Sequence, residues 1–104
     1  VLRQAVERVG KNCTGHEQEA AEFVIGLWMG YLLHVEEGKP SRITKEAGWA
    51  AALEGAFRES RGEEVDWEAL AQESGIALRT MEARIKKLRE AKKILDEENG
   101  QSNQ

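Results

Sequence analysis

Apolar side chains recur every three to four positions through most of the chain, which is the period of an α-helix. Near the start, Leu2, Val6 and Val9 share one helical face, and Gly10 follows as a stop signal. No stretch alternates between apolar and polar residues as a half-buried strand would. The pattern predicts an all-α fold, a single five-helix bundle whose first helix ends near residue 10.

The second predicted helix is the most apolar segment. Thr14 or Gly15 suits its N-cap, and Gly38 is its stop signal. Its middle, "FVIGLWMGYLL", is apolar nearly all round, so we expect other helices to enclose it. The run covers residues 23–33, whereas a membrane-spanning helix needs roughly 20 apolar residues. It is therefore interpreted as a core helix, and no membrane partner is expected.

Two pairs within that helix allow more than one interpretation. Gly26 and Gly30 form a G-x-x-x-G pattern, which in this setting favours a tight helix crossing over a dimer seam. Trp28 and Tyr31 could line a ligand pocket, but aromatic residues at this spacing are more typical of a core. We expect both pairs to serve packing.

The third helix is predicted to carry an unusually small face. Pro40 cannot lie inside a helix, so residues 38–43 form a connector, and Thr44 starts the next helix. Small residues in line let a neighbouring helix approach closely. They are Gly48, Ala52 and Gly55.

The last two predicted helices have the spacing of a helix-turn-helix at 66–95. Asp66 is an N-cap residue for a short helix that Gly75 ends, and the last helix runs from about Ala77 or Leu78 to Leu95. Gly75 can adopt the positive φ of the turn, and a small Ala71 lets the second helix cross the first closely. Three apolar residues lock the two helices together: Ile76, Met81 and Ile85.

Charge is unevenly distributed along the chain. Residues 76–95 contain seven basic and two acidic residues, a net charge of +5, although the whole chain carries −4. The residues before this segment sum to −6, and Asp96, Glu97 and Glu98 add −3. An acidic body with one basic helix indicates a directional electrostatic surface.

The ending "TMEARIKKLREAKKI" resembles two families that share this register. Leucine-responsive-type winged helices and the cyclin-box repeats of transcription factor IIB both place an Arg beside a locking apolar residue, as Arg84 stands beside Ile85 here. A winged helix needs a Gly turn and two strands next, but Lys92 replaces that Gly and only nine residues follow Leu95. The resemblance to the cyclin box is therefore preferred.

The cyclin-box resemblance also extends upstream. "GWAAALEGAF" at 48–57 is similar to the alanine-rich third helix of that fold, and two earlier helices complete the expected five. A weaker likeness joins the "KPS" connector and the "WAA" helix to uncharacterised bacterial cyclin-like proteins. The resemblance implies a cyclin-like helical domain at 1–95 with a wingless helix-turn-helix at 66–95. We expect residues 96–104 to form a polar, frayed tail.

In the transcription-factor members, the resemblance implies that the helix-turn-helix contacts duplex DNA, in transcription regulation or another DNA transaction. In that register Arg79 could bind guanine, Glu82 could accept from cytosine and Ala83 could touch a thymine methyl group. The alternative, known from cyclins proper, is a protein-protein interaction (adaptor) module, with a protein partner or self-association through the basic helix. The candidate DNA-binding residues are Arg79, Thr80, Glu82, Ala83, Arg84, Lys86, Lys87 and Arg89.

Metal binding and catalysis find little support in the sequence. Cys13 and His16 have a C-x-x-H spacing, but a zinc site needs four ligands and no second pair follows. We expect a buried Cys13, an exposed His16, no metal, no cofactor and no enzymatic activity. The single cysteine and the lack of a leader pattern favour a cytoplasmic protein, and the start at Val1 indicates further sequence upstream.

Overall fold

The protein is described by a computed structural model for residues 1–35 and 45–102, with side chains to residue 98. Within these ranges there are helices and no strands, so the predicted all-α fold is confirmed. A π-helical turn, Tyr31–Val35, continues the second α-helix. The helices are α1 (Leu2–Asn12), α2 (Glu17–Gly30), α3 (Glu46–Ser60), α4 (Trp67–Ser74) and α5 (Leu78–Ser102). The predicted connector 38–43 and the start at Thr44 lie outside the described residues.

Helix α3 is the centre of the bundle and packs against α1, α2, α4 and α5. Ten consecutive residues of it are buried, which requires neighbours on every side. A Cβ built on Gly48 would lie 2.5 Å from Nη1 of Arg84, and one on Gly55 would overlap the Trp67 ring. The predicted small face of α3 is therefore confirmed as the place where the last two helices approach it.

Helix α1 is longer than predicted, because it continues through Gly10 to Asn12. Open space surrounds the position of a Cβ at Gly10, so this glycine remains an ordinary helical residue. The Asn12 side chain donates to Oε1 of Glu54 at 2.8 Å, which holds the extra turn against α3.

Glu54 is a buried carboxylate between α1 and α3, with 1% of its surface exposed. Nε of Arg8 donates to its Oε1 at 3.0 Å, and Nε of Arg58 lies 3.4 Å from its Oε2. A buried charge is tolerated only when it is paired and hydrogen-bonded. This charged group therefore fixes the position of α1.

Helix α2 begins at Glu17, with His16 as its N-cap residue, so the predicted cap at Thr14 or Gly15 is wrong. Gly15 has a φ of +90° and belongs to the turn between α1 and α2. His16 makes no side-chain cap hydrogen bond to α2. Instead, the negative charges of Glu17 and Glu19 in the first turn interact favourably with the positive end of the helix dipole.

The expected enclosure of α2 is only partly correct. Its inner face is buried, but Ile25, Met29 and Leu33 are 43%, 55% and 70% exposed. Helix α2 contacts α1, α3 and α5, and no described helix covers its outer side. An apolar composition all round the helix thus did not reveal which side lacks a neighbour.

The G-x-x-x-G pair of α2 divides between two roles. A Cβ on Gly30 would lie 2.7 Å from Cδ1 of Leu95, so the predicted tight crossing is confirmed there and involves α5. A Cβ on Gly26 would meet nothing within 4 Å. Gly26 therefore has no role in the crossing.

The predicted core role of Trp28 and Tyr31 is confirmed. Both are buried, and their rings are stacked with centroids 5.2 Å apart and planes 9° from parallel. Trp49 of α3 packs against both rings, with centroids 5.3 Å and 4.9 Å away. This aromatic cluster joins α2 to the start of α3, on the side that faces α5.

Candidate nucleic-acid interface

Helices α4 and α5 follow each other across a short turn, in the segment where the helix-turn-helix is predicted. Oδ1 of Asp66 accepts a hydrogen bond from the Ala69 N–H at 3.0 Å, which confirms the N-cap of α4. Gly75 has a φ of +75°, as the turn requires. The Ile76 N–H then donates to the Ala71 carbonyl at 3.0 Å and closes the end of α4. Local sequence chemistry thus determines this turn.

The inner faces of α4 and α5 are locked by apolar residues. Because these side chains are buried on both helices, the orientation of α5 against α4 is fixed. The buried residues are Leu70, Ala71, Ile76, Met81, Ile85 and Leu88.

The outer face of the first turns of α5 carries half of the candidate residues. Arg79, Glu82, Ala83 and Lys86 are all exposed, at positions i, i+3, i+4 and i+7 of one helical face. We call these four residues the outer face of α5. Thr80 is half-buried beside it.

Arg84 is not part of this surface, contrary to the sequence prediction. It is 8% exposed, its Nη1 donates to the Lys45 carbonyl at 3.0 Å, and its guanidinium carbon lies 4.8 Å from the centre of the Trp49 ring. Burial lowers the pKa of the guanidinium, and the nearby Tyr31 partly opposes that change. Arg84 therefore anchors α5 to α3 and is unavailable to a nucleic acid.

Arg89 and Lys87 differ in their surroundings. Nη2 of Arg89 lies 2.8 Å from Oε1 of Glu59, and its Nε lies 3.3 Å from the other carboxylate oxygen. Half of the Arg89 side chain remains exposed, but its charge is shared with α3. Lys87 is exposed, one position along from the outer face of α5. Of the two, Lys87 is the more accessible to a phosphate.

A groove of about 790 Å³ lies between the start of α4 and the outer face of α5. Its walls combine apolar groups with charges of both signs, so it is more varied than a simple basic surface. Its lining residues are Trp67, Glu68, Leu78, Glu82, Ala83, Ile85, Lys86 and Arg89.

The α4 side of the groove contains functional candidates that the sequence reasoning missed. Trp67 is half-buried against Gly55, so the small face of α3 provides the space for its ring. Leu78 is 38% exposed at the first position of α5. The sequence did contain a signal for Trp67. It directly follows the N-cap residue Asp66, which places a large aromatic side chain on the first turn of α4.

The approach to α4 is acidic. Glu63, Glu64, Asp66 and Glu68 are exposed around its start, whereas a nucleic acid would need positive charge there. The surface that would attract a nucleic acid is therefore confined to α5, where Glu82 is an exposed acidic residue among the basic ones.

Cys13 and His16 are joined by a backbone hydrogen bond, in which the His16 N–H donates to the Cys13 carbonyl at 2.9 Å, but their side chains have different surroundings. Cys13 is buried, as expected, and burial, with a contribution from Glu54, raises the pKa of its thiol. His16 is exposed, also as expected, with its Nδ1 3.7 Å from Glu19 and its Nε2 3.3 Å from Arg61. Among the residues that the structure describes, no three His, Cys, Asp or Glu side chains are arranged to hold a metal ion.

In the described ranges, no helix has the length and apolar content to cross a membrane. Comparison with known proteins gives no relative for this chain: no family model, no curated protein and no solved structure matches it significantly.

Proposed function

We propose that the helix-turn-helix formed by α4 and α5 binds duplex DNA, with the outer face of α5 in the major groove. The observation that carries this proposal is the exposure of Arg79, Glu82, Ala83 and Lys86 along one face of a helix whose opposite face is locked. A recognition helix needs both properties, because its base contacts must be accessible and its orientation must be fixed.

The charges of α5 support contact with the phosphate backbone. Within the described part of the chain, Arg79, Lys86 and Lys87 have no acidic side chain at ion-pair distance, in contrast to Arg89. Unpaired cations neutralise phosphates and release bound counterions. Four such groups, with Lys93 as the fourth, would give a log–log salt slope of roughly −3 to −4, at about −0.9 per phosphate.

Base recognition would depend on the same face. Arg79 can donate two hydrogen bonds to guanine, Ala83 can contact a thymine methyl group, and Glu82 can accept from the amino group of cytosine. Glu82 and Glu68 also repel phosphates, so they weaken binding in any position of α5 that brings them close to the DNA backbone. We therefore expect weak nonspecific affinity and a marked dependence on sequence.

The order of the five described helices and the position of α4 and α5 at the end of that order support a cyclin-box-like identity for the domain. We propose on that basis a role in transcription control or another DNA transaction, through binding rather than catalysis. The long crossing of α5 over α2 and α3 leaves its basic first turns as the available contact surface.

Fluorescence anisotropy with random and selected duplexes tests the proposal at low and near-physiological salt. The double variant Lys86→Glu with Lys87→Glu should lose binding to all duplexes, since both phosphate contacts become repulsive. Arg79→Ala should mainly reduce the preference among sequences, by about 1–3 kcal/mol at one base pair.

The matched control is Arg3→Glu with Lys11→Glu, which makes the same change in net charge on two exposed residues of α1. Binding by the control and not by the α5 variant would assign the contact to α5. Equal losses in both would contradict a specific site, and no binding by the unmodified chain at low salt would reject the function.

A protein-docking function is the second candidate, and the groove beside α5 favours it. Trp67, Leu78 and Ala83 provide apolar surface, and Glu68 and Glu82 would suit a basic side chain on the partner. Leu78→Glu should then abolish capture of the partner. A chain that ignores duplex DNA at low salt, yet loses a protein partner in this variant, would support the docking function instead.

A further inference from the structure

We propose that Glu59 competes with DNA for Arg89 and thereby lowers the affinity of the basic surface on α5. The carboxylate acts as an intramolecular substitute for a phosphate, because a planar guanidinium binds either group through the same pair of parallel hydrogen bonds. This inference rests on the proposed DNA binding and adds a residue of α3 that limits it.

The contact between Glu59 and Arg89 uses both carboxylate oxygens. Nη2 of Arg89 donates to Oε1 of Glu59 at 2.8 Å, and Nε donates to Oε2 at 3.3 Å. A guanidinium held in this way directs two of its N–H groups at the carboxylate, so they are not available to a phosphate. The two side chains are 56% and 41% exposed, and an approaching phosphate can therefore reach the pair from solvent.

Arg89 lies on the border between two grooves. One is the groove beside the outer face of α5, which Arg89 lines together with Lys86. The other lies between α3 and α5, and Arg89 lines it together with Glu59. Glu59 does not line the first groove. The ion pair therefore holds the charge of Arg89 on the α3 side, next to the surface that would meet DNA.

The local chemistry of α3 disfavours an acidic residue at position 59. Glu59 is the last residue but one of α3, where the unpaired carbonyl groups give the helix end a partial negative charge. A basic side chain, such as that of Arg58, is favourable in this last turn, and an acidic one is repelled. The contact that compensates for this repulsion is the ion pair with Arg89 on another helix.

The ion pair is not needed to hold α5 in place. Met81 and Leu88 of α5 are fully buried, and Arg84 donates to the Lys45 carbonyl at the start of α3. An exposed ion pair adds little to the stability that such buried contacts provide. We therefore expect α5 to keep its position when the pair is broken, so that the Arg89 side chain can turn to a phosphate without a change of fold.

Release of Arg89 would add one cation to the surface formed by Arg79, Lys86 and Lys87. Each additional phosphate that a protein neutralises makes the log–log dependence of affinity on salt steeper by about 0.9. In the unmodified chain the pair with Glu59 must first be broken, which offsets part of this gain. We therefore expect removal of the Glu59 charge to raise the affinity for duplex DNA at low salt by about threefold to tenfold.

Fluorescence anisotropy of random and selected duplexes over a range of salt concentrations tests this competition. Glu59→Gln should bind more tightly than the unmodified chain, by about threefold to tenfold at low salt, with a salt slope that is steeper by about 0.9. Addition of Arg89→Gln to this variant should remove the whole of both gains, because they come from the released guanidinium. Circular dichroism should show the same helix content in all of these chains.

The matched control is Glu7→Gln, which makes the same change in net charge and releases Arg3 of α1 from an exposed ion pair. It should leave the salt slope unchanged. In a chain that binds DNA, four results would each overturn this inference alone: no gain in Glu59→Gln, an equal gain in the control, a double variant that keeps the gain, or one that binds more weakly than the unmodified chain. If neither the unmodified chain nor Glu59→Gln binds duplex DNA at low salt, the proposed function is rejected and this inference with it.

Discussion

The guanidinium carbon of Arg84 lies 4.8 Å from the centre of the Trp49 ring, and the same guanidinium donates to the Lys45 carbonyl. One positive charge of the basic helix is thus used inside the bundle, at the contact between α5 and the start of α3. A buried cation over an aromatic face is a strong contact because little water competes for it.

We expect Arg84→Ala to lower the free energy of unfolding by about 2–3 kcal/mol, through loss of the stacked cation and of a charged hydrogen bond. Arg84→Met should cost less, because it keeps most of the volume and buries no charge. Urea unfolding measures both. The DNA affinity per folded molecule should remain within about twofold of that of the unmodified chain. A larger loss of affinity in Arg84→Met would mean that Arg84 does contact DNA.

Gly55→Ala should destabilise the bundle by about 1–3 kcal/mol, because its new methyl group would overlap the Trp67 ring. Gly10→Ala is the matched control in α1, where a Cβ has open space. It should stabilise the protein by about 0.5–1 kcal/mol through higher helix propensity. Thermal unfolding of the two variants distinguishes them, and shifts of the same sign would contradict the close approach of α4 to α3.

Glu54→Gln should lower the free energy of unfolding by about 3 kcal/mol, because it leaves Arg8 and Arg58 without their buried counter-charge. The control is Glu7→Gln, which removes an ion pair with Arg3 whose two side chains are 91% and 64% exposed. That exposed pair should contribute less than about 0.5 kcal/mol. Similar effects in chemical unfolding would mean that the Glu54 pairs are screened by water.

The thiol of Cys13 should make stability depend on pH in the alkaline range. Burial raises its pKa in the folded protein above the usual value of 9.0, so the unfolded chain loses this proton first. The contribution is fully present below the unfolded pKa and is lost as the pH rises through the folded pKa. Unfolding curves at pH 7 and pH 10 should therefore differ more for the unmodified chain than for Cys13→Ala, and equal differences would refute this.

The parts of the fold that followed from the sequence are those fixed by local chemistry. Asp66 caps α4 and Gly75 supplies the positive φ because each role depends on neighbouring residues alone. Arg84 could not be assigned this way, since its pocket is made by aromatic residues of α2 and α3 far away in the chain. The same holds for Arg89, whose partner Glu59 is 30 positions earlier.

The exposure of the outer side of α2 could not be predicted from the sequence either. Its apolar residues indicate burial wherever a neighbour is present, but a sequence pattern does not specify how many neighbours a helix has. None of the described helices covers the outer side of α2, and Met29 is exposed there. The same limit applies to Leu78 in the candidate site.

Helix α5 continues without interruption for 25 residues, from Leu78 to Ser102, past the predicted end at Leu95. At about 1.5 Å per residue, the centre of its acidic segment lies roughly 27 Å along the axis from Arg79. This separation exceeds three screening lengths of about 8 Å at physiological salt, so the negative end cannot neutralise the positive end. Helix α5 thus carries opposite charge at its two ends, and a polyanion would be attracted to the end near Arg79 and repelled by the acidic end.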